Sequence, residues 1–300
     1  MEIGIIGAGS LGLLFASYLS RVFTVTLYTR TEEQAMEIKK NGIILKKNTK
    51  RTQALVRALP LSKWEGTEDL IIITVKSYHL EEIIKNINRL PKSPKNLLFL
   101  QNGMGHLKHL DTLRETEISV GSVEHGAYRE DAFTVSHNGE GITNVAVFRG
   151  DTYVLTALTE TAPSEFPIVM NEDFYKMLVN KLIVNSVINP LTAILGVKNG
   201  ELIKNEYYFK NVVHLFNEIS ILLNIENPDI HLKKIIDICH KTADNRSSML
   251  KDIEANRKTE VDAILGFLLE KANEEFKKVP LIESFYLLLK GKELGKGGLK

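Results

Sequence analysis

The first twelve residues limit the possible folds of this chain more than any other segment. The apolar run MEIGII is followed by a glycine-rich turn and then by SLGLLFASYLS, which has the spacing of an amphipathic helix. Such a turn between a strand and a helix, at the start of a βαβ unit, is typical of dinucleotide-binding domains. We expect its residues to bind nucleotide phosphates at the helix N-terminus: Gly7, Ala8, Gly9, Ser10, Leu11 and Gly12.

The second predicted strand, TVTLYTR, indicates which dinucleotide is bound. It ends in Arg30, where NAD-binding domains usually carry an acid that bonds the ribose hydroxyls, and the first acid is Glu32. A guanidinium pairs well with the 2′-phosphate of NADPH. The alternative is a solvated surface arginine. We expect NADPH or NADP as the cofactor.

Short β-type runs alternate with helical patterns through the first half of the chain, which predicts a parallel sheet with right-handed crossovers. DLIIITVK and NLLFLQNG are apolar, as strands buried on both faces are. Between residues 118 and 150 the glycine-punctuated β-like runs are expected to add strands at the edge of the same sheet. TAPSEFPIVMNED predicts the last strand and a linker.

From about Glu172 the apolar spacing is helical almost to the end of the chain. We therefore expect two domains. An α/β Rossmann-type dinucleotide-binding domain is predicted over residues 1–170, and an all-α helical domain that binds substrate over residues 171–300. The glycine- and lysine-rich tail from Gly291 is expected to fray.

Composition excludes several classes of protein. The formal net charge is +1, which gives no overall field to attract nucleic acid or an anionic membrane. No signal-peptide pattern is visible, and the longest uninterrupted apolar runs are too short to span a bilayer. The single cysteine, Cys239, excludes an internal disulfide and is expected to be buried. We expect a cytoplasmic monomer or homodimer with a small-molecule substrate.

Polar residues follow two apolar strands, where ligands of open α/β sheets bind. Lys76 and Asn102 are therefore candidates to contact the cofactor, although each could be an ordinary loop residue. His125 follows another strand and is a candidate for lining the cleft. His106 and His109 suggest a metal site only weakly, because a surface helix after NGMG explains them, and no metal is expected.

Lys181, Asn185 and Asn189 follow one another at intervals of four, so they share one face of a helix among apolar neighbours. A solvent-facing stripe is the simplest explanation, but asparagine is a mediocre helix former with little reason to recur there. Pro190 restricts the residue before it, so a kink or a helix end is expected at this point.

The string K-L-x-x-N-x-x-x-N-P-L-T-A from Lys181 resembles the ketopantoate reductase (2-dehydropantoate 2-reductase) family. GAGSLG, the TVKS strand end, the QNG turn and SSMLKDIEANRKTEVDAI resemble the same family, in order, from Gly7 to about Phe267. The resemblance implies NADPH-dependent reduction of 2-dehydropantoate to (R)-pantoate, a step toward pantothenate and coenzyme A.

The resemblance also implies roles for single residues. Lys181 matches the catalytic lysine that protonates the ketone oxygen, and Glu260 matches a glutamate that supports catalysis and contacts the hydroxyl end of the substrate. Implied substrate-binding positions are Asn102, Asn185, Asn189 and Ser248. Implied cofactor-binding positions outside the glycine turn are Arg30, Lys76, Asn102 and Glu260. From the residues alone, Glu260 could be a first-turn glutamate, and Ser247-Ser248 could cap the preceding helix.

Three departures from the family pattern concern the lining of the cleft. Val179 stands where an aromatic residue is frequent, Ser77-Tyr78-His79 replaces A-x-Q after the strand-end lysine, and the segment between Gly150 and Asn171 is short. Two alternatives stay open: a related 2-keto or hydroxy acid dehydrogenase with another substrate, and a non-catalytic NADPH-binding regulator. A regulator would need neither the lysine nor the glutamate.

Overall fold

The computed structural model describes residues 1–113 and 116–295, which divide into two compact units. Unit 1 consists of Met1–Gln101 and Leu107–Met177, and unit 2 of Asn102–His106 and Leu178–Lys300. Unit 1 is α/β and unit 2 is helical, which confirms the fold class expected from the sequence. The boundary expected between residues 170 and 171 stays a prediction.

The described residues contain twelve strands: β1 (Glu2–Ile6), β2 (Thr24–Thr29), β3 (Ile43–Lys47), β4 (Lys50–Ala54), β5 (Arg57–Pro60), β6 (Leu70–Ile73), β7 (Asn96–Phe99), β8 (Glu117–Val123), β9 (Gly126–Arg129), β10 (Thr134–Gly139), β11 (Thr143–Arg149) and β12 (Ile168–Met170). Eight form a sheet in the order β12-β11-β8-β7-β6-β1-β2-β5. Its strands are parallel from β5 through β8, and β11 pairs antiparallel with β8.

The helices of unit 1 are α1 (Ser10–Leu19), α2 (Glu32–Asn41), α3 (Leu80–Arg89), α4 (Leu107–Leu110) and α5 (Tyr153–Thr161). Helix α6 (Phe174–Leu195) follows, and then α7 (Glu201–Lys204), α8 (Glu206–Leu222), α9 (Pro228–Lys241), α10 (Ser248–Glu254), α11 (Phe267–Glu274) and α12 (Pro280–Leu294). A π-helical segment, Asp262–Gly266, leads into α11.

A second sheet in unit 1 has the order β4-β3-β10-β9. The expectation that all strands between residues 118 and 150 extend the main sheet is therefore wrong for β9 and β10, although β8 and β11 do join it. The hairpin β9–β10 pairs instead with β3, where Thr134 lies opposite Ile44. Strands β3 and β4 form a second hairpin. The two hairpins bury apolar side chains such as Leu45 and Val135 in the core that contains α1. Burial against that helix explains their position.

Helix α1 is buried over most of its length because strands of both sheets contact it. Phe15 and Tyr18 on this helix pack on Phe166, with ring centroids 4.9 and 4.5 Å apart. The core of unit 1 is therefore built around the helix that begins at the glycine turn. This packing fixes the position of the turn.

Helix α6 is long and apolar enough to cross a membrane by length and composition alone, but 67% of its most apolar window is buried inside the protein. Such burial is typical of a core helix. The helix continues through Pro190 to Leu195, so of the two alternatives expected near Asn189 the helix end is wrong, and the kink stays a prediction.

Near the C-terminus, α12 extends to Leu294, so the beginning of the tail is helical and does not fray as expected. The remainder of that prediction, residues 296–300, lies outside the described residues. Cys239 on α9 is buried, as expected.

Candidate active site

The glycine turn between β1 and α1 has the geometry that its sequence predicts. Gly7 has φ +108°, and its N–H donates to the Tyr28 carbonyl at 2.9 Å. A Cβ at Gly12 would lie 1.7 Å from the Gly7 oxygen, so only glycine fits there. A Cβ at Gly9 would meet nothing within 4 Å. The turn thus leaves open space where a ligand can approach the first turn of α1.

The sheet order β6-β1-β2 sets the expected cofactor residues on both sides of this turn. Ile6 of β1 pairs in register with Tyr28 of β2 and with Ile73 of β6. Arg30 directly follows β2 and is exposed. Lys76 follows β6 and precedes the short 3-10 helix Ser77–His79. The strands β2 and β6 are the two neighbours of β1, and neighbouring strands lie about 4.8 Å apart. The backbones of Arg30 and Lys76 therefore leave the sheet on opposite sides of the glycine turn that follows β1.

Two polar side chains that the sequence analysis missed hold this edge of the sheet together. Thr74 Oγ1 donates toward the carbonyls of Ile6 and Gly7, at 3.1 and 2.8 Å. Gln101 Nε2 donates to the carbonyls of Ile73 and Val75, at 2.9 and 3.0 Å. Each directly follows an apolar run, a signal that could have identified them.

A second missed contact joins the glycine turn to the small sheet. Gln34 Nε2 donates to the carbonyls of Ala8 and Ala132, both at 2.9 Å. Arg129 Nη1 donates to the same Ala8 carbonyl at 3.3 Å, and Arg129 N donates to Ser10 Oγ at 3.1 Å. These residues gain their position only when distant strands pair, so local sequence patterns give no hint of it.

His125, a candidate for lining the cleft, lies in the interior of unit 1 and is 7% exposed. Its ring stacks on Phe166 with centroids 4.3 Å apart, and its Nδ1 lies 3.1 Å from His137 Nε2. Tyr18 Oη lies 2.8 Å from His137 Nδ1. Burial of the ring lowers the pKa of His125 to about 4. His125 is thus part of a neutral buried network.

The protons of this network can be assigned from one contact. The Gly141 N–H donates to His125 Nδ1 at 3.2 Å, so that nitrogen is an acceptor. His137 Nε2 therefore carries the proton shared with His125, and the Tyr18 hydroxyl donates to His137 Nδ1. The remaining N–H of His125, at Nε2, is buried and has no hydrogen-bond partner among the described residues.

His106 is also buried, which corrects the expectation that it belongs to a surface helix. It ends the segment Asn102–His106, and α4 begins one residue later. His109 lies on α4 and is partly exposed. No group of three or more His, Cys, Asp and Glu side chains that could hold a metal lies within residues 1–113 and 116–295.

In unit 2, the polar stripe predicted from the sequence lies on one continuous helix. Lys181, Asn185 and Asn189 all fall within α6, so their spacing of four sets them on one face. Lys181 and Asn185 are partly buried, and Asn189 is 8% exposed. This degree of burial is inconsistent with a solvated stripe and leaves an amine and two amides among apolar neighbours.

Asn102 and Glu260 are brought together in unit 2, although 158 positions separate them. Asn102 Nδ2 donates to Glu260 Oε2 at 2.9 Å. Glu260 is 5% exposed, so it is not a solvated first-turn glutamate. Its backbone carbonyl accepts the N–H groups of Ala263 and Ile264, each at 3.1 Å, which fixes the backbone of Glu260 at the start of the helical turn.

The segment Asn102–His106 is held against the π-helical segment through one carbonyl. The Ala263 oxygen accepts Met104 N at 3.1 Å and Gly105 N at 3.4 Å. Gly103 has φ +76°, and a Cβ there would lie 2.1 Å from that oxygen. The wider π-helical turn is frequent at functional sites. Here its carbonyl binds the turn that presents Asn102.

The end of α6 is tied to the start of α10. The hydroxyl oxygens of Thr192 and Ser247 lie 2.7 Å apart, and Ser247 Oγ accepts Leu250 N–H at 3.1 Å. Ser247 therefore caps the helix that follows it, not the preceding one. Ser248 is the first residue of α10 and is exposed. Its position thus depends on the same helix that carries Asn189.

The chain matches the family described as ketopantoate reductase PanE/ApbA over residues 3–150, and the C-terminal region of the same family over residues 173–293. It belongs to the ketopantoate reductase family. It is 40% identical to the 2-dehydropantoate 2-reductase of Bacillus subtilis over 295 residues, 98% of each chain. It is 39% identical to that of Listeria innocua over 298 residues, 98% of this chain and 97% of the relative.

The chain is also similar to solved structures of dehydrogenases and reductases. A probable 2-dehydropantoate 2-reductase from Bacillus subtilis matches with a TM-score of 0.88 and 39% identity, over 97% of this chain and 100% of that chain. The ternary structure of D-mandelate dehydrogenase with NADH and anilino(oxo)acetate matches with a TM-score of 0.87 and 26% identity, over 98% of each chain. Dehydrogenases of different substrates therefore share this fold.

Proposed function

We propose that this protein catalyses the NADPH-dependent reduction of 2-dehydropantoate to (R)-pantoate, a step toward pantothenate and coenzyme A. The observation that carries the proposal is the buried Asn102–Glu260 hydrogen bond, which occurs in the same unit as Lys181 on α6. A protein that only bound the nucleotide would need neither group. Relatives that are 35–40% identical over nearly the whole chain and bear the name 2-dehydropantoate 2-reductase support it.

The cofactor half of the proposal rests on unit 1. The open approach at Gly9 and the first turn of α1 suit the phosphates of a dinucleotide. Arg30 suits a 2′-phosphate because, within the part of the chain that the structure describes, no carboxylate forms an ion pair with it. When bound, NADPH supplies a hydride. We propose that Lys76 of unit 1, together with Asn102 and Glu260 of unit 2, also contacts the cofactor.

The proton half of the proposal rests on unit 2. Reduction of a ketone builds negative charge on its oxygen, and an ammonium group stabilises this charge and then supplies the proton. Lys181 is proposed as that acid, and Glu260 as the group that holds the hydroxyl end of the substrate. The substrate carboxylate and carbonyl need hydrogen-bond donors, which are proposed to be Asn102, Asn185, Asn189 and Ser248.

A second candidate function is reduction of another 2-keto acid. The structural match to D-mandelate dehydrogenase with NADH, at 26% identity, favours considering it. Val179 and Ser77-Tyr78-His79 depart from the family pattern and bear on which side chain the substrate carries. Arg30, however, favours NADPH over NADH as the reductant.

One assay separates the candidates. Purified protein is mixed with NADPH and either 2-dehydropantoate or phenylglyoxylate, and loss of the reduced-nicotinamide absorbance is followed. We expect kcat/KM to be higher for 2-dehydropantoate. Turnover of phenylglyoxylate alone would replace the first proposal by the second. Turnover of neither keto acid would refute the first proposal and would exclude phenylglyoxylate as the substrate of the second.

We further propose that residues 1–170 form the cofactor domain and residues 171–300 the substrate domain, and that the protein works in the cytoplasm as a monomer or homodimer. Light scattering on the purified protein, with and without NADPH, measures the oligomeric state. A larger assembly would contradict this part of the proposal.

A further inference from the structure

Strand β9, at the edge of the small sheet, lies against the glycine turn. An edge strand has N–H groups that no neighbouring strand can accept. The Arg129 N–H is one of these, and it donates to Ser10 Oγ at 3.1 Å. The side chain of the same residue reaches the Ala8 carbonyl at 3.3 Å. The two contacts fall on either side of Gly9.

The hairpin that carries Arg129 is held at a second point. Gln34 on α2 donates to Ala8 O and to Ala132 O, both at 2.9 Å. Ala132 lies in the turn between β9 and β10, so this amide ties that turn to the same carbonyl that Arg129 contacts. The hairpin is thus fixed relative to the glycine turn by side chain and backbone together.

No carboxylate in the described part of the chain neutralises the charge of Arg129. Its side chain is exposed, and no carboxylate among residues 1–113 and 116–295 forms an ion pair with it. A guanidinium has five N–H donors, and the Ala8 carbonyl uses one of them. The remaining donors and the full positive charge are available beside the open space at Gly9.

We propose that Arg129 binds the pyrophosphate of the dinucleotide and completes the anion site at the glycine turn. This inference rests on the proposed use of NADPH. The end of a helix offers about half an elementary charge, which is less than a pyrophosphate carries. A guanidinium adjacent to the turn supplies a further whole charge and forms paired hydrogen bonds with phosphate oxygens.

Two arginines then bind different parts of one cofactor. Arg30, at the end of β2, is assigned to the 2′-phosphate, which only NADPH carries. Arg129 is assigned to the pyrophosphate, which NADPH and NADH share. The first therefore selects between the two nucleotides, and the second increases the affinity for both. This difference makes the two roles separable by direct binding measurements.

The test measures Kd for NADPH and for NADH by titration calorimetry, without any keto acid. Arg129→Ala should weaken both nucleotides by the same factor, about tenfold, the value expected for a hydrogen bond to a charged group. Arg30→Ala should weaken NADPH far more than NADH. Arg51→Ala is a matched control because it removes the same charge from β4, at the opposite edge of the small sheet.

Two further probes identify the contacted group. ADP-ribose contains the pyrophosphate but no 2′-phosphate, and its Kd should rise in Arg129→Ala. Adenosine 2′-monophosphate has no pyrophosphate, and its Kd should not change. Arg129→Lys keeps the charge but loses the paired geometry, so we expect an intermediate Kd for both nucleotides.

Two results would overturn the inference. In a folded Arg129→Ala protein, an unchanged Kd for NADPH and NADH would show that the side chain does not bind the cofactor. A lower Tm with unchanged Kd values would then show that its role is purely structural. A loss of affinity for NADPH but not for NADH would show that Arg129 contacts the 2′-phosphate instead of the pyrophosphate. Neither result depends on turnover, so failure of the proposed reduction would not be confused with failure of this inference.

Discussion

Lys181 carries its amine on the face of α6 that also presents Asn185, and it is partly buried. If it supplies the proton to the ketone oxygen, Lys181→Ala should lower kcat by about a hundredfold or more. The Kd for NADPH should change little. Steady-state kinetics together with a nucleotide titration measure both. Near-normal kcat in the variant would assign the proton to another group.

Asn102 donates to a carboxylate that is almost fully buried. Asn102→Ala leaves Glu260 without this donor, and a lost hydrogen bond to a buried charged group costs about 1–3 kcal/mol. We expect kcat/KM for the keto acid to fall roughly tenfold or more. Asn211→Ala is the matched control, since that amide lies exposed on α8 and donates only to the Tyr207 carbonyl. Equal kinetics for the two variants would contradict the role given to Asn102.

At the scale of elements, the docking of the Asn102–His106 turn on the π-helical segment depends on Gly103. Gly103→Ala would put a Cβ 2.1 Å from the Ala263 oxygen and would require a positive φ. We expect a loss of roughly 2 kcal/mol or more in the free energy of unfolding, together with reduced kcat. Urea denaturation and steady-state assays measure the two effects.

Gly291 supplies the control for this prediction. It lies within α12, and a Cβ there would meet nothing within 4 Å. Gly291→Ala should therefore leave the protein as stable as before or stabilise it by about 0.5–1 kcal/mol. A Gly103 variant as stable and active as the Gly291 variant would show that the turn adapts without cost.

Local elements were predictable because their signals lie within a few residues of one another. Three features were predicted from such local signals: the glycine turn, the position of Arg30 after β2, and the polar stripe on α6. The pairing of β10 with β3 was not predictable, since Thr134 and Ile44 are ninety positions apart and many strands could pair with either. Arg129 was missed for the same reason.

Asn102 and Glu260 are intermediate cases. Neither their spacing nor their neighbours in sequence indicate that they meet. The resemblance to a family is what identified both as candidate site residues. The structure then supplies the physical reason, which is the Ala263 carbonyl that holds the turn in place. His125 shows the opposite outcome, because its position after a strand suggested the cleft while its aromatic neighbours draw it into the core.

For the molecule as a whole, the His125–His137 network makes stability depend on pH. Burial, and then the charge of His137, lower the pKa of His125 from 6.5 to about 4, and the pKa of His137 is lowered too, chiefly by burial. Between pH 6.5 and 4 the unfolded chain therefore binds protons that the folded chain excludes. The free energy of unfolding should be highest above pH 6.5 and fall toward pH 4, by roughly 3 kcal/mol for His125.

Urea denaturation at a series of pH values measures this dependence. His125→Gln should be less stable at pH 8, yet lose less stability between pH 6.5 and 4 than the unsubstituted protein. His109→Asn, which removes an imidazole outside this network, should keep the original dependence. An unchanged dependence in the His125 variant would exclude the network as its source.

The assignment of Asn102–His106 to unit 2 also bears on how such chains can recombine. Two ketopantoate reductases that exchange only the chain after Met177 would separate the sequence NGMGH from the helical turn it evolved with. A hybrid that transfers both pieces keeps Gly103 and Ala263 from one parent. Inheritance of the helical unit is therefore discontinuous, and functional hybrids between distant relatives should need three junctions, at 101/102, 106/107 and 177/178, instead of the single one at 177/178.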